Sequence, residues 1–200
     1  METKDRIIHS AIKLFNQKGT KSVTTNHIAA AAGISPGNLY YHFRNKEAII
    51  RAVFDRIVEF TETGSSYGSG FRVKPSIENM EAVFMRVLTL HWKYRFLYRE
   101  FNALLNRDKD LKAAIIRDQK RRLTEIRYSI LAFIEAGIFR DMDESEIEFL
   151  KTSLWIIGTY WHSYLESGGK KITIARVEEG IDMMRKLLRP YMNETVVVPD

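Results

Sequence analysis

Apolar residues recur every three or four positions along most of the chain, the spacing that places side chains on one face of an α-helix. In the N-terminal part, one stripe predicts a helix over residues 3–18 with Gly19 as its stop. A second stripe predicts a helix from about residue 46 to Phe60, with Asn45 as its capping residue. Two shorter helical segments meet at a corner between them, so this part is predicted as a small cluster of helices.

The pattern stays helical after the middle of the chain. Ser76 and Asp108 are expected to cap two helices, with one short helix between them, and the second of the two is long and stops at Gly137. The last two helices, over residues 147–165 and 174–188, carry the strongest apolar stripes. Together with the N-terminal cluster this predicts an all-α fold of about nine helices.

One stretch separates the two parts. The segment Thr63–Gly70, TGSSYGSG, is rich in glycine and serine and is predicted to be a flexible linker. It lacks the Gly-Lys-Ser/Thr ending and the preceding strand of a nucleotide-binding loop. The predicted organisation is therefore an N-terminal domain of residues 1–62, a linker of residues 63–75 and a larger domain of residues 76–200.

The two short segments have the arrangement of a helix-turn-helix motif. Thr24 or Thr25 can cap the first helix, and Gly33 stands where a left-handed residue ends it. Ser35 can cap the second helix, which then begins with Pro36, where the missing amide proton costs nothing. The sequence alone therefore predicts helix, tight corner and capped helix.

The second short helix has an unusual outer face. Leu39 and Phe43, four residues apart, are expected to face the core. An ordinary solvated helix carries glutamate and lysine on its other side, and exposed aromatic rings without a partner lower solubility. A binding face is therefore preferred over a surface helix with accidental aromatics. Its residues are Gly37, Asn38, Tyr40, Tyr41 and His42.

The net charge is also distributed unevenly between the N-terminal part and the rest of the chain. Residues 1–46 hold seven basic and two acidic side chains, whereas the remaining 154 residues hold 24 and 23. Nearly all of the net charge of +6 therefore belongs to the N-terminal quarter. Such an asymmetry is typical of a protein that binds the phosphate backbone of a nucleic acid.

Composition excludes several classes. The chain contains no cysteine, which rules out disulfides and thiol chemistry, and its 45% hydrophobic content suffices for a folded core. No run of eighteen apolar residues and no signal-peptide pattern is present, so we expect no membrane segment and a cytoplasmic location. Asp141–Glu146, DMDESE, matches only the start of a calcium loop and is better explained as an acidic helix start.

The helix-turn-helix residues resemble the DNA-binding signature of the tetracycline-repressor (TetR) family of bacterial transcription regulators. The resemblance implies a three-helix DNA-binding domain, a larger helical domain for ligand binding and dimerisation, and as partners double-stranded operator DNA, a second copy of the chain and a small amphipathic or hydrophobic effector. The matching positions are Thr25, Ile28, Ala29, Ala32, Gly33, Ser35, Gly37, Leu39, Tyr40, His42, Phe43, Lys46 and Glu47.

The same resemblance assigns roles in DNA binding. The helix from Pro36 to Phe43 is expected to enter the major groove. Pro36 departs from the polar residue often found at its position, which leaves its proposed contact with a thymine methyl open. Phosphate contacts are expected from Thr24, Thr25, Tyr41 and Lys46, base contacts from Asn26, Asn38 and Tyr40, and close backbone approach at Gly37. His42 is a further DNA-binding candidate on the same face.

A repressor of this type usually has a ligand pocket in its larger domain. Aromatic residues concentrate in His91–Phe101 and Trp155–Tyr164, where core packing is the explanation we favour. Gln119 and Arg122 fall at core-facing positions of the long helix, and buried polar groups need partners. A ligand head group is one such partner; a salt bridge or a contact with the DNA-binding domain is the favoured alternative. On the ligand hypothesis the candidate residues are His91, Gln119, Arg122 and Trp155.

The last two helices are the predicted dimer interface. Glycine in a helix interior costs about 1 kcal/mol relative to alanine, and close backbone approach is a reason to keep it. TetR-like proteins build a four-helix bundle from this pair of helices and the same pair of a second chain, which predicts a homodimer. The candidate dimerisation residues are Leu154, Gly158, Trp161, Val177, Gly180, Ile181 and Met184.

Two other functional classes fit less well. An enzyme would need a catalytic constellation, but the chain has neither a G-x-S-x-G nor an H-E-x-x-H motif, and its five histidines lack metal-ligand spacing. We therefore expect no catalytic residue, cofactor or metal. A sequence-independent DNA binder would bind through charge alone. A ligand-independent or activating regulator of the same fold stays open.

Overall fold

The computed structural model describes residues 2–64, 75–169 and 173–193, and not the side chains of residues 63, 64, 174 and 177. Within these residues the fold is all-α, as predicted, with ten α-helices, no β-strand and a final 3-10 turn. The helices are α1 Thr3–Ser22, α2 Thr25–Ala32, α3 Pro36–His42, α4 Lys46–Gly64, α5 Ile77–Lys93, α6 Arg95–Arg99, α7 Phe101–Arg107, α8 Lys109–Glu135, α9 Glu144–Ser167 and α10 Ile174–Leu188, followed by Arg189–Tyr191.

The tenth helix is a correction to the prediction. The single short helix expected before the long one is divided into α6 and α7. Glu100, which separates them, has φ −105° and ψ 16° and so leaves the helical conformation. Its side chain reaches Thr20, 80 residues earlier in the chain. The spacing of apolar residues along the chain cannot predict a contact between residues so far apart in sequence.

Most predicted helix ends are confirmed because they depend on local chemistry. The side chains of Asn45, Ser76 and Asp108 each accept a hydrogen bond from a backbone N–H in the following turn. Asp143 and Glu146 form a reciprocal capping box at the start of α9, so DMDESE is an acidic helix start. Gly137 adopts φ +69° just after α8.

Packing divides the chain into two compact units. The N-terminal unit comprises Met1–Thr63 and Tyr94–Ile115, and the C-terminal unit comprises Gly64–Lys93 and Ile116–Asp200. The N-terminal unit therefore includes α6, α7 and the first turns of α8, which the sequence did not indicate. Residues 65–74 of the predicted linker lie outside the described residues, and the division at residues 62 and 76 stays a prediction.

The core of the N-terminal unit is formed by apolar faces of α1 to α4 and α6. Phe15 and Phe96, both almost fully buried, meet with ring centroids 5.0 Å apart. Helix α1 kinks at Gly19, whose φ of +74° and ψ of 161° lie outside the helical region. The predicted stop at Gly19 is thus a break in the backbone, although the assigned helix continues to Ser22. The other buried residues include Ile7, Ile8, Ala11, Ile28, Leu39, Ile49 and Val53.

The C-terminal unit has two apolar clusters of buried residues. One consists of Met80, Ile130, Phe133, Phe139, Ile147, Leu150 and Leu188. The other consists of Leu88, Trp161, Leu165 and Ile181. Gly180 explains how closely α9 and α10 approach, since a Cβ placed there would lie 2.9 Å from Trp161 Cδ1. The close approach expected at Gly180 therefore occurs within one chain.

Candidate nucleic-acid interface

The corner between α2 and α3 is built from the predicted residues. Thr24 caps α2, because its hydroxyl accepts from the N–H of His27 at 3.2 Å, and the N–H of Thr24 donates back to His27 Nδ1 at 3.3 Å. Gly33 is left-handed, with φ 65° and ψ 40°. Ser35 Oγ accepts from the N–H of Asn38 at 3.2 Å, and Pro36 occupies the first helical position of α3. These bonds satisfy amides at both helix starts.

Helix α3 turns Leu39 inward and its polar and aromatic residues outward. Leu39 is fully buried, whereas Tyr40 is 51% and Tyr41 85% exposed. The ring of Tyr41 stacks edge-on against His42 with centroids 5.2 Å apart. A Cβ at Gly37 would have no neighbour within 4 Å, so the backbone there is open to an approaching molecule. Pro36, Gly37 and Asn38 are also exposed.

One contact within this surface could not be anticipated from the sequence. The hydroxyl of Tyr40 lies 3.0 Å from Thr25 Oγ1, so a hydrogen bond joins α3 to α2 across the corner. Thr24, Asn26 and His27 at the start of α2 are exposed beside it. The structure therefore brings the predicted residues of α2 and α3 together on one surface, with Tyr40 held in place by Thr25.

Lys46 is placed differently from the expectation. Its ammonium group donates to the backbone carbonyls of Thr20 at 2.5 Å and Val23 at 2.9 Å, and its side chain is half-buried. These carbonyls lie at the end of α1, where backbone acceptors lack helical partners. Lys46 thus connects the start of α4 by hydrogen bonds to the end of α1 and the residue after it, a role that the sequence does not predict. Its contact with a phosphate stays a prediction.

Arg6 braces the corner from the other side. Its guanidinium donates to the carbonyl of Ala32 and, at 3.3 Å, to that of Gly33. A Cβ at Gly33 would lie 3.1 Å from Arg6 Nη2, so glycine suits both the left-handed backbone and this contact. The electrostatics of the surface follow from composition, since residues 6–46 contain no acidic side chain. This surface is accordingly suited to a polyanion.

Comparison with known proteins agrees with this geometry. Residues 7–53 match the family described as "Bacterial regulatory proteins, tetR family". Residues 67–197, more than half of the chain, match "TetR: Bacterial transcriptional repressor". The chain belongs to the TetR family. It is therefore a transcriptional regulator in class and not an enzyme.

Individual relatives support the assignment. A TetR-family transcriptional regulator from Marinobacter aquaeolei VT8 is 31% identical, with a TM-score of 0.88 over 97% of this chain and 93% of that one. The probable HTH-type regulator YttP of Bacillus subtilis is 24% identical over 68% of this chain, but the match spans only 65% of YttP. SmeT, the repressor of the Stenotrophomonas maltophilia multidrug efflux pump SmeDEF, shares the fold at 19% identity, with a TM-score of 0.71 over 100% of this chain and 95% of SmeT.

The predicted effector residues of this TetR-family chain lie in the C-terminal unit. His91 is buried, while Gln119, Arg122 and Trp155 are half-buried. Burial is the main reason that the pKa of His91 falls to about 3, and His162, whose ring centroid is 6.5 Å away, also lowers it. The imidazole of His91 is therefore neutral at physiological pH.

Arg122 has protein partners. Its guanidinium lies 3.1 Å from Glu125 and 3.7 Å from Asp118, which matches the salt bridge that the sequence left as the favoured alternative. Burial lowers the pKa of Arg122, and the two carboxylates oppose this effect. The carboxylates of Asp118 and Glu125 therefore already compensate the positive charge of Arg122 before any ligand binds.

The predicted dimerisation residues are mostly covered by their own chain. Gly158, Trp161, Gly180, Ile181 and Met184 are buried, Leu154 is half-buried, and the side chain of Val177 lies outside the described residues. These residues therefore have little surface to offer a second chain. A different set of large apolar residues on α9 is exposed: Phe149, Ile156, Tyr160 and Tyr164, here called the α9 stripe.

No helix among the described residues combines the length and apolar content that crossing a bilayer requires.

Proposed function

We propose that this TetR-family protein is a homodimeric repressor that binds operator DNA through α2 and α3. The observation that carries the proposal is the outer surface of this helix pair. It combines exposed amide and aromatic side chains with a stretch of 41 residues, 6–46, that has no carboxylate to repel phosphate. Asn38, Tyr40 and Asn26 read base edges, and Thr24 and Tyr41 hold the phosphate backbone.

Dimerisation sets the spacing of two such surfaces. The α9 stripe supports pairing with a second chain, because Phe149, Ile156, Tyr160 and Tyr164 recur at helical intervals and are each more than 40% exposed. A twofold pair presents two α3 helices to successive major grooves, so its operator consists of two half-sites in inverted orientation.

Release by a small effector is the third part of the proposal. The family described as "Bacterial transcriptional repressor" covers the region that contains the C-terminal unit's helices, and SmeT has been solved as a complex with triclosan. An effector acts only through its differential affinity for the DNA-bound and free states. For this chain an apolar or amphipathic molecule is the best candidate, since Arg122 is already paired.

Selection of bound sequences from a random duplex library tests the operator part. The expected result is an enriched motif with two inverted half-sites whose centres are about one helical turn, or a multiple of it, apart. A pool that stays random after several rounds, despite measurable binding at low salt, would favour the sequence-independent DNA binder instead.

A further inference from the structure

The last turn of α1, beyond the kink at Gly19, is hydrogen-bonded to a carboxylate from much later in the chain. Thr20, which is fully buried, donates its backbone N–H to Glu100 Oε1 at 2.8 Å and its hydroxyl to Glu100 Oε2. Its carbonyl accepts from Lys46 at 2.5 Å. Every polar atom of Thr20 is thus engaged, on one side by Glu100 and on the other by the first residue of α4.

The backbone at this point is shaped for the contact. Gly19 adopts φ +74°, a conformation that a side chain makes unfavourable, and a Cβ there would lie 2.8 Å from Glu100 Oε1. The kink turns the N–H of Thr20 out of the helix, and Glu100 accepts that N–H in place of a helical carbonyl. Hydrogen bonds to an ionised carboxylate are stronger than those between neutral groups.

Further contacts attach the same segment to α1 and α4. Asn16 accepts from the N–H of Phe96 at 3.1 Å, and Arg51 of α4 pairs with Asp108 at 2.5 Å. The segment Tyr94–Ile115 therefore holds both helices that flank the α2–α3 pair. In the sequence it is continuous with α5 on one side and with the rest of α8 on the other.

We propose that Glu100 is a positioning residue for DNA recognition: by holding Thr20 at the Gly19 kink, it sets the orientation of α2 and α3 for the operator. The inference rests on the proposed operator binding.

Charge and geometry make opposite predictions, which allows a sharp test. Removing Glu100 takes away a negative charge, so electrostatics alone would strengthen binding to any duplex. If Glu100 positions the reading helices, its removal is instead expected to weaken binding to the operator. Glu100→Gln removes the same charge but retains an oxygen for the N–H of Thr20 and an amide that can donate to its hydroxyl. Asp5→Ala, which removes a carboxylate paired with Arg56 elsewhere in the N-terminal unit, is the second charge-matched control.

The experiment measures the affinity of the full-length protein for its selected operator and for a shuffled duplex by fluorescence anisotropy. Glu100→Ala is expected to lose about tenfold in operator affinity, the value of one charge-assisted hydrogen bond, with unchanged or tighter binding to the shuffled duplex. Glu100→Gln and Asp5→Ala are expected to stay within about threefold of wild type for the operator.

Equal operator affinity of Glu100→Ala and Glu100→Gln would overturn the inference while leaving the proposed function intact. If wild type itself shows no preference for any duplex, the proposed function fails first. Should Glu100→Ala not fold, Thr20→Val decides, because it removes only the hydroxyl: a drop of a few fold for the operator alone supports positioning, and no change contradicts it.

Discussion

Tyr40 and Tyr41 are neighbours on α3 but have different surroundings. Tyr41 is 85% exposed and contacts His42, whereas the hydroxyl of Tyr40 is bonded to Thr25 Oγ1 at 3.0 Å. A side chain held in one rotamer loses less entropy when it meets a base edge. Tyr40 is therefore the better candidate for base recognition, and Tyr41 for the phosphate backbone.

The Tyr40–Thr25 bond can be tested by a double-mutant cycle. Tyr40→Phe and Thr25→Val each remove one partner and are each expected to weaken operator binding by a few fold, because an exposed hydrogen bond contributes about 0.5–1.5 kcal/mol. The double variant should be weakened by less than the sum of the two single losses, since both substitutions remove the same bond. Fully additive losses would show that the two hydroxyls act independently.

Lys46 is expected to matter for folding. Its ammonium group bonds to the carbonyls of Thr20 and Val23, so Lys46→Ala should lower the free energy of unfolding by about 2 kcal/mol. Lys13→Ala, at an exposed position of α1, is the control and should change stability by less than about 0.5 kcal/mol. Urea unfolding measures the stability of both variants. Equally small losses in the two would contradict a stabilising role for the hydrogen bonds of Lys46.

His91 makes the C-terminal unit sensitive to acid. Its pKa in the fold, about 3, lies below the ordinary value of 6.5, so the folded state disfavours the proton. The contribution of the neutral His91 side chain to the free energy of unfolding is fully present above pH 6.5 and is lost as the pH falls from there toward 3. The groups acting on its ring are His162, Arg122 and the carbonyl of Gly158.

Between pH 7 and pH 5 the loss in unfolding free energy attributable to His91 is about 2 kcal/mol. Urea titrations at both pH values should show it for wild type, and a smaller loss for His91→Gln, which cannot titrate. A pH dependence that is identical in the two proteins would assign the effect to other groups.

At the scale of elements, the sequence predicted what depends on neighbours in the chain. The sequence predicts Ser35 and Asp108 as caps, and Thr24 or Thr25, of which the structure shows Thr24, because capping needs only a short polar side chain before an apolar stripe. The sequence does not predict the break between α6 and α7 at Glu100 or the hydrogen bonds of Lys46. Glu100 and Lys46 both bond to Thr20, which lies 80 and 26 residues away from them in the chain. A charged residue near a helix start looks the same whether it faces solvent or a buried carbonyl.

The two interior glycines of the last helices show the same limit. The sequence indicated close approach at both, but the neighbours differ. A Cβ at Gly180 would lie 2.9 Å from Trp161, which is itself held by donating to the carbonyl of Arg176. A Cβ at Gly158 would meet Val87 at 3.7 Å, an ordinary contact distance.

Alanine substitutions at the two glycines should therefore have opposite effects. Gly180→Ala is expected to destabilise by about 1–3 kcal/mol through overpacking, even though alanine favours helix. Gly158→Ala should be neutral or stabilise by up to about 1 kcal/mol. Thermal or urea unfolding of the two variants side by side checks this, and an equal change in both would show that the space around Gly180 relaxes.

At the scale of the whole molecule, the proposed dimer depends on the exposed residues of the α9 stripe. Ile156→Asp places a charge at a 51% exposed apolar position and is expected to yield a monomer by light scattering, with weaker operator binding because one half-site contact is lost. Thr89→Asp, an exposed polar position on α5, should remain dimeric. If wild type were monomeric, or Ile156→Asp still dimeric, pairing through the stripe would be wrong.

The central claim is that the outer face of α3 recognises a particular DNA sequence. The most direct measurement compares the affinity of wild type and Asn38→Ala for the promoter beside the protein's own coding region and for a shuffled duplex of the same length, at physiological salt. We predict that wild type prefers the promoter by about a thousandfold or more and that Asn38→Ala loses about 1–3 kcal/mol of that preference. Equal affinity of the wild-type protein for the two duplexes would contradict the account.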